Sequence, residues 1–289
     1  MHLILTKISK AILSVFGRLQ SIPHPDLTCE EWCREQPCMK IRIASREVII
    51  SQPLSSFWVY FLGLFLIAVS LYFFQIQNGE NSRLWWGISL LLMGIGGLLA
   101  GTSYQAFGYE IKCSGRQVCS WTSWWEVVFL MFQQLSVNAM LVAVAYSCTT
   151  GTFQIVLLGY ALVGSLVFVI LICIGGIVPI KCLITFEFMV WVSTPVFFFL
   201  CIFNAWRYYK FRDSMDLVFL GSWIILFKTI TTYWTYSKLG ITKKLWARGI
   251  WFSENDVLHV LLIFWVTYIA TVAANRIKDY TVISFLALN

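Results

Sequence analysis

The chain has 289 residues, 59% of them hydrophobic and only 12% charged, with a net charge of +7. Soluble domains run at about 45–50% apolar and about 25% charged, so a soluble fold is excluded and lipid is the solvent for most of the chain. The positive excess reads as membrane topology and contact with anionic headgroups. No basic stripe interleaved with aromatics lies outside the apolar runs, so nucleic acid is excluded as a partner.

Residues 1–20 place Leu3, Ile4, Ile8, Ile12, Leu13 and Phe16 near helical spacing, interrupted by Lys7, Lys10 and Arg18. This pattern is too broken to span a bilayer. It predicts an interfacial amphipathic helix, with a targeting peptide as the alternative. Residues 21–51 are polar and carry Pro23, Pro25, Pro37 and three cysteines, which predicts a small cap. Seven apolar runs follow, near 57–76, 84–107, 123–147, 152–174, 182–206, 215–237 and 254–275. Each reaches the length of about 20 residues that a bilayer requires. Gly175, Gly176 and Pro179 separate the fourth run from the fifth. The expected fold is an all-α membrane protein: a seven-transmembrane helix bundle over 57–275, preceded by the interfacial helix and cap over 1–56 and followed by a tail over 276–289. Trp85, Trp86, Trp121, Trp124, Trp125, Trp206 and Trp251 fall near span ends, where indoles anchor at the interface.

Seven spans put the two ends of the chain on opposite faces. The face of the N-terminal cap carries Lys40, Arg42, Arg46, Lys112, Arg116, Lys181, Lys238, Lys243, Lys244 and Arg248; the other carries Arg83, Arg207, Lys210, Arg212, Arg276 and Lys278. Ten against six makes the N-terminal face the cytoplasmic one; a disulfide among the cap cysteines would argue the reverse. Cys148, Cys173, Cys182 and Cys201 lie in or beside apolar runs and read as small core residues. Cys29, Cys33 and Cys38 in the cap, and Cys113 and Cys119 in one loop, are disulfides, metal ligands or free thiols.

Polar groups at membrane depth face the bundle interior or water, because lipid offers them no partner. Those here are Ser103, Gln105, Glu126, Gln133, Gln134, Asn138, Glu187, Lys228, Asn255, Asp256 and His259. Several fall in the half of the membrane nearest the N-terminal face, where they either line a cavity or bridge helices and snorkel to headgroups. Lys228 is deeper and requires either a partner or the loss of its charge; Glu187 on the preceding span is the first acid to test.

Certain motifs resemble those of a known family. The cap reads Asp26-Leu-Thr-Cys29-Glu30-Glu31-Trp32-Cys33, and Gln52-Pro-Leu-Ser-Ser-Phe-Trp leads into the first span. The second span ends Gly101-Thr-Ser103-Tyr-Gln105-Ala-Phe107, the third opens Trp125-Glu126, and the seventh opens Asn255-Asp-Val-Leu-His259 and continues to Tyr268. In order and spacing this is similar to the alkaline ceramidases and the related progestin and adipoQ receptors. That resemblance implies a zinc ion held by three histidines from spans two and seven, whose bound water attacks a lipid amide with help from a serine and an acid. Ser103 matches the serine, Glu126 the acid and His259 one histidine; Asn255 stands in place of the second, and Phe107 or Gln105 in place of the third. Amides are poor zinc ligands beside imidazole, so the resemblance implies a degenerate zinc site that does not retain the metal. Asp26, Glu30 and Glu31 match the positions of a cap calcium in that family, but the commoner explanation of such a run is a solvated acidic turn.

Three functions are expected from these residues. The first is a non-catalytic relative that binds lipid or serves as an accessory subunit beside other membrane proteins. The second is a metal-dependent hydrolase of lipid amides with a rearranged site of Ser103, Glu126, Asp256 and His259. The third is a transporter or proton-coupled protein built on Lys228, Glu187 and the Gln133–Gln134 pair.

Overall fold

A computed structural model describes residues 17–280. Most of the amphipathic segment 1–20, the tail beyond Tyr280 and the Asp26 side chain lie outside the described residues. Seven helices are long and apolar enough to cross a membrane: α2 (Pro53–Gln75), α3 (Asn81–Ala100) with a π-helical continuation over Gly101–Ala106, α5 (Trp124–Cys148), α6 (Gly151–Ile177), α7 (Phe186–Phe211), α8 (Ser214–Lys238) and α10 (Glu254–Tyr268) with a π-helical continuation over Ile269–Ala273. These are spans one to seven. Two short helices, α4 (Gly108–Lys112) and α9 (Ile241–Trp246), lie in connections on the N-terminal face.

Local chemistry sets the helix ends. Pro53 opens α2 at a position whose amide would be unpaired in any case. Ser123, Thr185, Asp213 and Ser253 each accept a backbone N–H from the turn they open, at the starts of α5, α7, α8 and α10. Helix α7 carries Pro195 in its interior and continues through it.

Span three is the axis of the bundle, with 72% of its apolar window buried against 22% for spans four and five. The main core gathers Leu66 and Phe73 of span one, Trp86 and Leu90 of span two, Met140 of span three, Phe219 and Trp223 of span six and Trp265 of span seven. Trp86 is therefore a core residue and not an interfacial anchor: it is fully buried and stacks on Phe219 and Trp223. Cys148 is buried as expected, whereas Cys182 is exposed. Spans one and two cross closely at two glycines. A Cβ on Gly94 would lie 2.8 Å from the Gly63 carbonyl oxygen, and one on Gly63 would lie 3.1 Å from that of Gly94. Backbone cannot yield as a flexible side chain does, so Gly94→Ala is expected to cost about 1–3 kcal/mol by overpacking, read as a lowered thermal midpoint in detergent.

The cap adds short strands to the expected helical architecture. β2 (Cys38–Ile43) and β3 (Arg46–Ser51) form a hairpin, and β1 (Pro23–Thr28) pairs antiparallel with β4 (Val118–Ser120) from the loop between spans two and three. Helix α1 (Cys29–Glu35) joins the two ribbons and inserts Trp32, whose indole N–H donates to Ser51 Oγ at 2.8 Å. The cap is thereby tied to the loop that leads into span three.

Candidate functional site

The Glu126 carboxylate, in the first turn of α5, is the hub of a buried cluster. Ser103 of the π-helical segment donates its hydroxyl to Oε1 at 2.8 Å, and Thr122 donates to Oε2 at 2.9 Å. Ser103 and Ser123 share a hydrogen bond of 2.6 Å. The pairing of Ser103 with Glu126 follows the sequence expectation. The third partner does not: Lys112, at the end of α4, places its Nζ 2.8 Å from Glu126 Oε1. Its ammonium also lies over the rings of Trp32 and Tyr104, at 5.4 and 5.3 Å. Both charges are sequestered from solvent, with side chains 9% and 4% exposed. Lys112 reads in the sequence as a loop cation; in the structure it is the cation of the Glu126 site.

Asp256 and His259 stand apart from that hub. Asp256 is fully buried at the third position of α10, where Oδ2 accepts the Ser253 amide in a capping box. Ser253 in turn bonds Ser55 at 3.0 Å, stitching span seven to span one. The second Asp256 oxygen, His259 Nδ1 and Gln105 Oε1 are buried without a hydrogen-bond partner. Gln52 Oε1, Trp58 Nε1, Tyr236 OH and Trp246 Nε1 share that condition in the half of the molecule nearest the N-terminal face, while Ser82 Oγ, Trp86 Nε1 and Ser147 Oγ share it toward the other end. A buried polar group without a partner costs about 1–3 kcal/mol, so such a concentration marks a place that a polar guest or ordered water would stabilise. Asn255 is half-buried on the same helix turn.

The zinc ligands implied by the resemblance do not fit the residues present. Among the described residues, the only set of three or more His, Cys, Asp or Glu ligand atoms close enough to share an ion is that of Cys29, Cys113 and Cys119. Glu126, Asp256 and His259 do not gather, so the rearranged four-residue site is not assembled, and an ammonium is already bonded to the acid. Of the cap acids, the Asp26 side chain lies outside the described residues, Glu30 is exposed, and Glu31 accepts the Thr28 amide and hydroxyl at 3.0 and 2.7 Å as a helix cap. Those hydrogen bonds, the hydroxyl's first, hold the Glu31 carboxyl below its usual range.

The Lys228–Glu187 pair is not formed. Lys228 is exposed on the outer face of span six and Glu187 is exposed at the start of span five, near Tyr104 and Tyr233, and the ion pairs among the described residues do not include them. A groove of about 480 Å³ opens on that outer face of span six, lined by Ile230, Thr231, Trp234, Thr235, Lys238 and Leu239. Gln134 and Asn138 are structural links. Asn138 donates to Ser165 of span four at 2.9 Å, and Gln134 accepts from Ser193 of span five at 2.7 Å. Gln133 is half-buried, near Gly96 of span two.

A second buried charge pair lies at the opposite end of the bundle. Arg207 Nε donates to both Asp216 oxygens at 3.0 and 3.1 Å, and its Nη1 donates to the Cys148 carbonyl at 2.6 Å. Asn204 donates to Asp216 at 2.9 Å and accepts from the Trp223 indole at 2.9 Å. Arg207, like Lys112, reads in the sequence as a loop residue. The signal that identifies both is an acid close by in sequence at a span start, Asp216 and Glu126, each with a capping residue just before it.

In the cap, Cys113 and Cys119 form a disulfide. Burial, and then a hydrogen bond with the neighbouring Cys33 thiol, push the Cys38 thiol up to about 12. Compared with family models, curated proteins and solved structures, the chain matches none.

Proposed function

We propose that this chain is a non-catalytic membrane protein that binds a lipid by its polar headgroup, at the end of spans one, two, six and seven nearest the N-terminal face. The observation that carries the reading is the group of buried, unpartnered polar atoms there, Gln105 Oε1, Asp256 Oδ1 and His259 Nδ1 foremost. A hydroxyl- or amide-bearing headgroup meets both donors and acceptors among them. A loss of catalysis is supported by Lys112, which occupies Glu126 and neutralises the acid that a hydrolytic mechanism would need free.

Purified protein should carry lipid that survives gel filtration, detected by native mass spectrometry. Asp256→Asn combined with His259→Leu is expected to lower lipid occupancy about tenfold, equivalent to about 1.4 kcal/mol, with the protein still monodisperse. Unchanged occupancy in that variant would remove the reading. Turnover of a lipid-amide panel by the wild type, abolished in His259→Ala, would restore the hydrolase alternative.

A further inference from the structure

The cap contains a set of sulfur atoms that the lipid reading does not use. Cys29 opens α1, Cys113 follows α4 and Cys119 sits on β4. Three separate elements thus bring their thiols to one point, held by the β1–β4 pairing. The three sulfurs lie within 4.8 Å of one another. Cys29 is aimed into the loop, donating to the carbonyls of Cys113 at 3.1 Å and Arg116 at 2.8 Å. Cys38, outside that set of three, is half-buried against the same small cluster with its thiol hydrogen-bonded to Cys33, which is exposed. Four thiolates around zinc at about 2.3 Å place their sulfurs roughly 3.8 Å apart, so the sulfurs of Cys29, Cys113 and Cys119 need only modest adjustment once the disulfide opens.

We propose that the cap is a redox-dependent metal site, in which reduction of Cys113–Cys119 creates a tetrathiolate for a zinc-like cation from Cys29, Cys38, Cys113 and Cys119. A dithiol supplies two electrons and two protons. The Cys113–Cys119 sulfur–sulfur bond breaks to give two thiols, and the dithiol leaves as its own disulfide. Binding of the cation then displaces one proton to solvent from each coordinating thiol. The oxidised state locks the loop covalently; the reduced, metal-bound state fastens the cap to that loop through the ion.

The test is a cobalt(II) titration of the full chain in detergent, before and after reduction with dithiothreitol and its anaerobic removal. Reduced wild type is expected to take up cobalt with intense sulfur-to-cobalt charge-transfer absorption and the visible bands of a tetrahedral site; the oxidised protein should show neither. Cys29→Ser should weaken cobalt binding at least about tenfold, Cys29→His should retain binding with weaker charge transfer, and Cys33→Ser should match wild type, each checked for monodispersity. Absence of these bands in reduced wild type, or Cys29→Ser and Cys33→Ser behaving alike, overturns the proposal.

Discussion

Replacing Asp216 with alanine is expected to destabilise the protein by about 3–5 kcal/mol, the largest single effect in the molecule. The Arg207 side chain is 6% exposed, and Asp216 is fully buried. Removing the acid strands a guanidinium that cannot lose its charge in the hydrophobic end of spans five and six. It also takes away the acceptor of the Asn204 amide, which orients Trp223 within the stack of Trp86 and Phe219. The loss should therefore propagate into the main core. Asp216→Asn keeps the shape and one acceptor and should lie between wild type and alanine. Pairing Asp216→Leu with Arg207→Met should recover most of the loss, because no buried charge remains. Thermal midpoints in one detergent, arranged as a double-mutant cycle, measure the coupling; additive single effects would mean that the pair is not coupled.

Lys112→Met should be the second most costly change, at about 3 kcal/mol. It leaves Glu126 buried with only the hydroxyls of Ser103 and Thr122. Glu126→Gln alone should cost less, because Ser103 and the ammonium still find an amide oxygen in place of Oε1 and Thr122 can accept from the amide N–H in place of Oε2. The double variant should be more stable than Lys112→Met. This order separates a charge-pair role from simple packing, for which Lys112→Met would be the mildest of the three. The Lys112 ammonium also lies over Trp32 of the cap, so the single variant should expose the cap to protease at lower temperature than it exposes the spans.

The seven spans were legible because hydropathy acts over about 20 residues and averages out local detail. Their ends were legible where a hydroxyl or acid caps the helix, as at Ser123 and Ser253. The direction in which a side chain points was much harder to read. In a soluble helix, polar and apolar faces separate core from solvent, but in a membrane helix both sides are apolar. Lys228 was therefore placed inside the bundle when it faces out, and Trp86 was placed at the interface when it is fully buried. Lys112 and Arg207 were hidden for a related reason. A charge at a span end reads as a loop residue, and only the fold shows that α4 and the end of α7 turn it inward. Ser103 and Glu126 were brought together in the sequence by the family resemblance, as its serine and its acid, and the structure puts their side chains in contact. That Asp256 and His259 remain separate from that contact was not legible, since it depends on how spans one and seven pack.

Lys228 also bears on the membrane itself. Ten residues separate it from Lys238, a depth of about 15 Å at helical rise, and its four-carbon stem is shorter than that. Above it on the outside of span six lie Thr231, Thr232, Thr235 and Lys238, all exposed. These side chains form a polar rail along one side of span six, leading from the depth of Lys228 to the Lys238 end, so the bundle presents to lipid one polar-striped side and, at span four, an apolar one.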